Sequence, residues 1–158
     1  QKLIYIGIKG YDVNSADGNA AHPKPHSNLV FLIDTSGSMQ SSDRLPLVMK
    51  SIEMLLSSLE SDDRVAIATY DNVARVNLES TPIREMDTIL TVLRSLRAGG
   101  GTGGAGGLKL AYELAEANFD NTENTVNRVI LASDGDFNVG VTDDETLKQF
   151  IQSKRKTG

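Results

Sequence analysis

Three short stretches carry side chains whose types and spacing could do chemistry. In Asn28–Met39, NLVFLIDTSGSM, an apolar run stops at Asp34, and Ser36 and Ser38 follow at alternate positions. A turn there can aim one carboxylate and two hydroxyls to one side. Thr102 stands inside a glycine-rich stretch, AGGGTGGAGG, from Ala98 to Gly107. Asp134 follows a second apolar run, NRVILAS, from Asn127 to Ser133. Five oxygen donors without His or Cys suit a hard cation: Mg2+, with Mn2+ or Ca2+ as alternatives. If neutral hydroxyls bind directly and the aspartates act through water, the ion stays electron-poor. An open position on it would then attract a carboxylate from a partner.

These groups need a frame that brings them together. Short apolar runs bounded by turn residues read as strands buried on both faces. Asn28–Ile33, Arg64–Tyr70 and Asn127–Ser133 fit that pattern. Arg44–Leu59 has a helical apolar period, with Ser42 or Asp43 as its cap and Pro46 in the first turn. Ile83–Leu96 and the stretch from Leu108 to Ala115 read as second and third helices. Thr142–Glu145 is a capping box opening a fourth, with Leu147, Phe150 and Ile151 apolar. Asp71-Asn72 turns the chain into Val73–Leu78, an antiparallel edge strand. This alternation predicts an α/β, Rossmann-like fold, with a mostly parallel sheet and helices on both faces. Asp34 and Asp134 then leave the same edge of the sheet, and flank one crevice if their strands are neighbours.

Residues 1–27 read as a separate N-terminal piece, with a strand at Lys2–Lys9 and a linker over Gly10–Ser27; the domain proper spans 28–158. His22 and His26 lie in that linker, where Pro23 and Pro25 break any helix that would align them, so a solvated loop is the better reading. The chain has 158 residues, enough for one domain with a real core. Its net charge of -5 disfavours nucleic acid and anionic membrane as partners. With no cysteine, disulfides and thiolate metal sites are excluded. No apolar run is long enough to span a membrane, and no signal peptide is present; Gln1 in place of Met favours a leader outside this sequence. The remaining Asp residues, Asp43, Asp62 and Asp63 among them, read as caps and solvated surface, Asp136 as a turn, and the methionines as core.

Rival motifs fail on context. An EF-hand loop would need Gly and Glu where Met39 and Leu45 stand. Gly101-x-Gly103-x-x-Gly106 spells a dinucleotide fingerprint but follows a helical pattern rather than a strand. A Mg-dependent phosphatase or phosphotransferase would use Asp34 as nucleophile with a second acid two residues on, where Ser36 stands.

Taken together, Asp34-x-Ser36-x-Ser38, Thr102 in its glycine loop and Ser133-Asp134-Gly135 resemble the metal-ion-dependent adhesion site of von Willebrand factor type A domains. The phrases NLVFLIDTSGSM, DRVAIATY, GGGTGGAGG and NRVILASDGDFNVGV are most similar to the bacterial cell-envelope branch. The resemblance implies Ser36, Ser38 and Thr102 as hydroxyl ligands, Asp34 and Asp134 acting mainly through water, and a partner protein's Asp or Glu completing the shell. It further implies a non-enzymatic adhesion or assembly domain, periplasmic or surface-exposed. An intracellular assembly module of the chelatase type would use the same site. The family's later strands and C-terminal helix are expected to lie beyond Gly158.

Overall fold

The computed structural model describes residues 25–101, 106–118, 125–135, 149 and 151–154. A four-stranded sheet forms the centre, built from β1 (His26–Asp34), β2 (Arg64–Tyr70), β3 (Ala74–Pro82) and β4 (Thr125–Ala132). Its order is β3-β2-β1-β4, with β1 parallel to both β2 and β4 and β3 antiparallel at one side. The chain thus leaves β1 for one side of the sheet and later crosses to the other. β1 and β4 flank the point where that direction reverses, the crevice in which open α/β sheets bind ligands.

The pleat of β1 sorts its side chains onto two cores. Leu29, Phe31 and Ile33 face one side with Val65 and Ile67 of β2, and are covered by α1 (Leu45–Leu56) and α2 (Met86–Ser95). Val30 and Leu32 face the other side with Ala66, Ala68 and Tyr70, and are covered by α3 (Gly107–Glu116). Leu32 and Ile33 are fully buried, so the strand that carries Asp34 is fixed from both faces. A side chain of that size contributes about 1.5–3 kcal/mol on burial. The small Ala66 and Ala68 of β2 lie under α3 and let it approach, and Ala111 and Ala115 of the helix reciprocate.

Several boundaries differ from those read in the sequence. β1 starts at His26, because parallel pairing with β4 runs to His26↔Thr125. His26 therefore belongs to the strand rather than to the linker, while His22 and the Lys2–Lys9 strand lie outside the described residues. α1 begins at Leu45 with Arg44 at its N-cap position and no side-chain cap. Asp43 instead accepts from the Ser41 hydroxyl. β3 runs on to Pro82 through irregular pairing with β2. Asp63 is buried rather than solvated, its carboxylate accepting from the amides of Ser27 at 2.7 Å and Glu60 at 2.8 Å. Met39 is core as expected, but Met54 is 68% exposed on the outer face of α1.

β4 is only partly buried along its length, and Leu131 is exposed. Among the described residues it pairs on one side alone. An apolar groove of about 330 Å3 lies between it and α1, lined by Phe31, Leu47, Ile52, Leu55 and Ile130. Residues 149 and 151–154 are helical, and Lys154 bonds to Glu116 of α3 at 2.7 Å. No helix among the described residues is long and apolar enough to cross a membrane.

Candidate metal centre

Asp34 ends β1 opposite Tyr70, the last residue of β2. Its carboxylate is fully buried and has three donors. The Ser36 amide donates to Oδ1 at 2.8 Å, a local turn of the kind Asp favours. The Tyr70 hydroxyl and the Ser133 hydroxyl donate to Oδ2 at 3.1 and 3.3 Å. Burial pushes the Tyr70 phenol well above its ordinary range; the Ser133 hydrogen bond opposes this and the charge of Asp34 adds to it. The phenol therefore stays a neutral donor to the carboxylate.

Beyond Asp34 the chain makes a 3-10 turn, Gly37–Gln40, with Ser36 buried before it and Met39 anchoring it to the core. This turn brings the Ser36 and Ser38 hydroxyls into a hydrogen bond with each other at 3.0 Å, with Ser38 exposed. Adjacent oxygens of an octahedron with bonds of about 2.1 Å are about 3.0 Å apart. The two hydroxyls therefore fit neighbouring positions around a Mg2+-sized ion. Among the described residues no three His, Cys, Asp or Glu side chains cluster as a metal group.

Asp134 follows β4 on the same side of the sheet, its side chain 10% exposed. Its Oδ2 accepts from Arg44 Nη1 at 2.6 Å, and the same nitrogen donates to the Ser38 carbonyl at 2.7 Å. Ser133 is held in turn by the Gly135 amide, which donates to its hydroxyl at 3.1 Å. The structure thus brings Asp34, Ser36, Ser38 and Asp134 to one end of β1 and β4.

Thr102 and Asp136 lie outside the described residues. The stem leading to Thr102 does not. The Gly99 amide donates to the Thr35 carbonyl at 2.9 Å, and the Gly37 amide to the Gly100 carbonyl at 3.0 Å. Gly101 donates its amide to Asn72 Oδ1 at 3.1 Å, and a Cβ on Gly101 would lie 2.5 Å from that oxygen. On the far side of the loop, Gly107 opens α3 directly against the Tyr70 ring, where a Cβ would lie 3.1 Å from the tyrosine Cβ. Glycine at 107 is what lets the helix press on the residue that holds Asp34.

Three contributors escaped the sequence reading. Tyr70 closes an apolar strand and looked like core; its register opposite Asp34 was the available signal. Ser133 looked like the end of a strand. Arg44 looked like the start of a helix, and nothing local announces its reach of 90 residues along the chain to Asp134.

The von Willebrand factor type A domain model matches residues 29–136, from β1 to just past Asp134. The uncharacterized protein YfbK of Escherichia coli is 43% identical over 134 residues, which is 85% of this chain and 23% of that protein. The chain spans 16 to 27% of the length of the curated relatives it matches. Among solved structures, the von Willebrand factor domain of the type V pili tip protein Mfa5 from Porphyromonas gingivalis superposes with a TM-score of 0.56. The identity is 24%, over 71% of this chain and 38% of that one. The PilB minor pilin from Streptococcus sanguinis superposes at 0.58 with 17% identity, over 71% and 30%. A mostly parallel sheet with its switch point beside Asp34 and a family model spanning that sheet lead to one conclusion: the chain belongs to the von Willebrand factor type A domain family.

Proposed function

We propose that this domain binds a divalent cation, Mg2+ in the first place, and uses it to capture an acidic side chain of a partner protein in adhesion or assembly. The observation that carries this reading is the 3.0 Å spacing of the Ser36 and Ser38 hydroxyls beside a buried, triply hydrogen-bonded Asp34. Ser36, Ser38 and Thr102 would supply neutral ligands, and Asp34 and Asp134 would act mainly through water. The bound ion would supply Lewis acidity toward a carboxylate. The chain's own residues do the positioning: Tyr70 and Ser133 hold Asp34 in place.

The domain is read as a binding module rather than an enzyme. A nucleophilic Asp34 of the phosphatase kind would work with a second acid two residues on, and Ser36 stands there. The placement proposed is the bacterial cell envelope. That is in keeping with the fold's appearance in a pili tip protein and a minor pilin.

Calorimetric titration of the chain with Mg2+ and Mn2+ tests the reading, with Ser38→Ala as comparison because Ser38 is exposed and its loss leaves the core intact. Wild type is expected to bind and the variant to bind at least about tenfold more weakly. Equal binding by both, or none by wild type, overturns it. A concentration-dependent rise in Tm with Mg2+ is the companion readout.

A further inference from the structure

We propose that Arg44 sets the balance of this site, weakening its hold on the metal alone and strengthening its hold on the partner's carboxylate. The proposal rests on the metal-dependent reading above and adds a residue and a direction to it. Arg44 Nη1 spans the two loops, 2.7 Å from the Ser38 carbonyl and 2.6 Å from Asp134 Oδ2. Its side chain is 42% exposed, while the Asp134 side chain is 10% exposed. The guanidinium therefore sits at the rim, between the site and solvent. It carries five N–H donors in a fixed fork.

Two consequences of opposite sign follow. A fixed positive charge beside Ser38 and on Asp134 repels an incoming cation and already engages one of the carboxylates that would stabilise it. The same charge attracts an incoming carboxylate, and the fork geometry of Arg suits carboxylate oxygens. The guanidinium lies beside Ser38, bonded to its main-chain carbonyl, and so is near any acidic side chain that reaches the Ser38 hydroxyl. Arg44 would thus keep the empty site from binding metal tightly without a partner, and make metal and partner bind better together than apart. A purely structural tie between the two loops predicts something else: loosening the loops would weaken both affinities.

The test uses Arg44→Gln, Arg44→Met and Arg44→Lys. Mn2+ affinity is read by calorimetry and by the paramagnetic signal of free Mn2+. Acetate is then titrated at saturating Mn2+, with chloride at matched ionic strength, and loss of metal-bound water is followed by proton relaxation. Arg44→Gln is expected to bind Mn2+ about tenfold more tightly and acetate about threefold to tenfold more weakly. Arg44→Met should match it, and Arg44→Lys should stay close to wild type in both. Weaker Mn2+ binding by both neutral variants, or no change in either affinity, overturns the role of Arg44 while leaving the metal site standing. Failure of wild type to bind Mn2+ removes the site and the proposal together. Urea midpoints close to wild type identify the variants that fold, and the neutral pair ensures that one misfolded protein does not decide the result.

Discussion

Replacing Tyr70 by Phe removes one oxygen and leaves the rest of the side chain in place. Tyr70 is fully buried, and its ring packs in the core under α3 with Gly107 against it. Phe keeps those contacts. What it loses is the hydroxyl that donates to Asp34 Oδ2 at 3.1 Å. A hydrogen bond to a buried charged group contributes about 1.5–3 kcal/mol. Ser133 also donates to that oxygen, at 3.3 Å, so it keeps one partner and the cost falls toward the lower half of that range. In a domain of this size each kcal/mol moves Tm by about 2–4 °C. The expected drop is therefore about 3–9 °C, with the urea midpoint falling and the slope unchanged. Ser133→Ala alone should cost less, since its bond is longer. The double variant should cost more than the sum, because Oδ2 then has neither donor. A Tyr70→Phe protein as stable as wild type, or a strictly additive double variant, would refute the view that these hydroxyls jointly hold Asp34.

Other expectations are simpler. Because burial raises the Tyr70 phenol above its ordinary value of 10.0, the folded state holds that proton where the unfolded chain releases it. Stability should be unaffected by this group below pH 10 and fall as pH rises beyond it, with Tyr70→Phe falling less steeply in alkaline urea melts. Gly107→Ala should destabilise by about 1–3 kcal/mol despite better helix propensity, because the Tyr70 ring it would press on is bonded to Asp34 and cannot retreat. A more stable protein in thermal melts would contradict this. Asp63→Ala should cost about 2–4 kcal/mol by orphaning the amides of Ser27 and Glu60, and Asp62→Ala, at an exposed carboxylate, less than about 0.5 kcal/mol; equal losses would count against the buried reading.

β1 and β2 were legible because they are buried on both faces, and uninterrupted apolar runs such as LVFLI leave little else for the chain to do; the expectation of the same burial for β4 did not hold, since it is only partly buried. The alternation put Asp34 and Asp134 on one edge of the sheet but left open whether their strands are neighbours; the pairing of β1 with β4 answers that. Boundaries were less legible. Where β1 starts depends on how far β4 accompanies it, which is a long-range fact absent from HSN itself. The burial of Asp63 escaped for the same reason, since its donors come from a strand start 36 residues away and from the preceding turn. At the candidate site, residue types announced the oxygen donors, but the groups that orient them did not stand out. Tyr70 is aromatic in an apolar strand, and Arg44 is a long cation before a helix, each locally explicable without a partner.

Among the described residues, the loop bearing Ser36 and the stem leading to Thr102 are joined through main-chain groups, Gly37 to Gly100 and Gly99 to Thr35. Any residue except proline carries the donors and acceptors that make those rungs. The spacing between the two loops is therefore insulated from most changes of side chain. Constraint falls on bulk instead, as at Gly37, where a Cβ would sit 3.3 Å from the Gly100 carbonyl oxygen. Such a frame is well suited to diversification. The exposed positions around it, Gln40 through Asp43 among them, can be rewritten while the separation of the oxygen donors stays as it was.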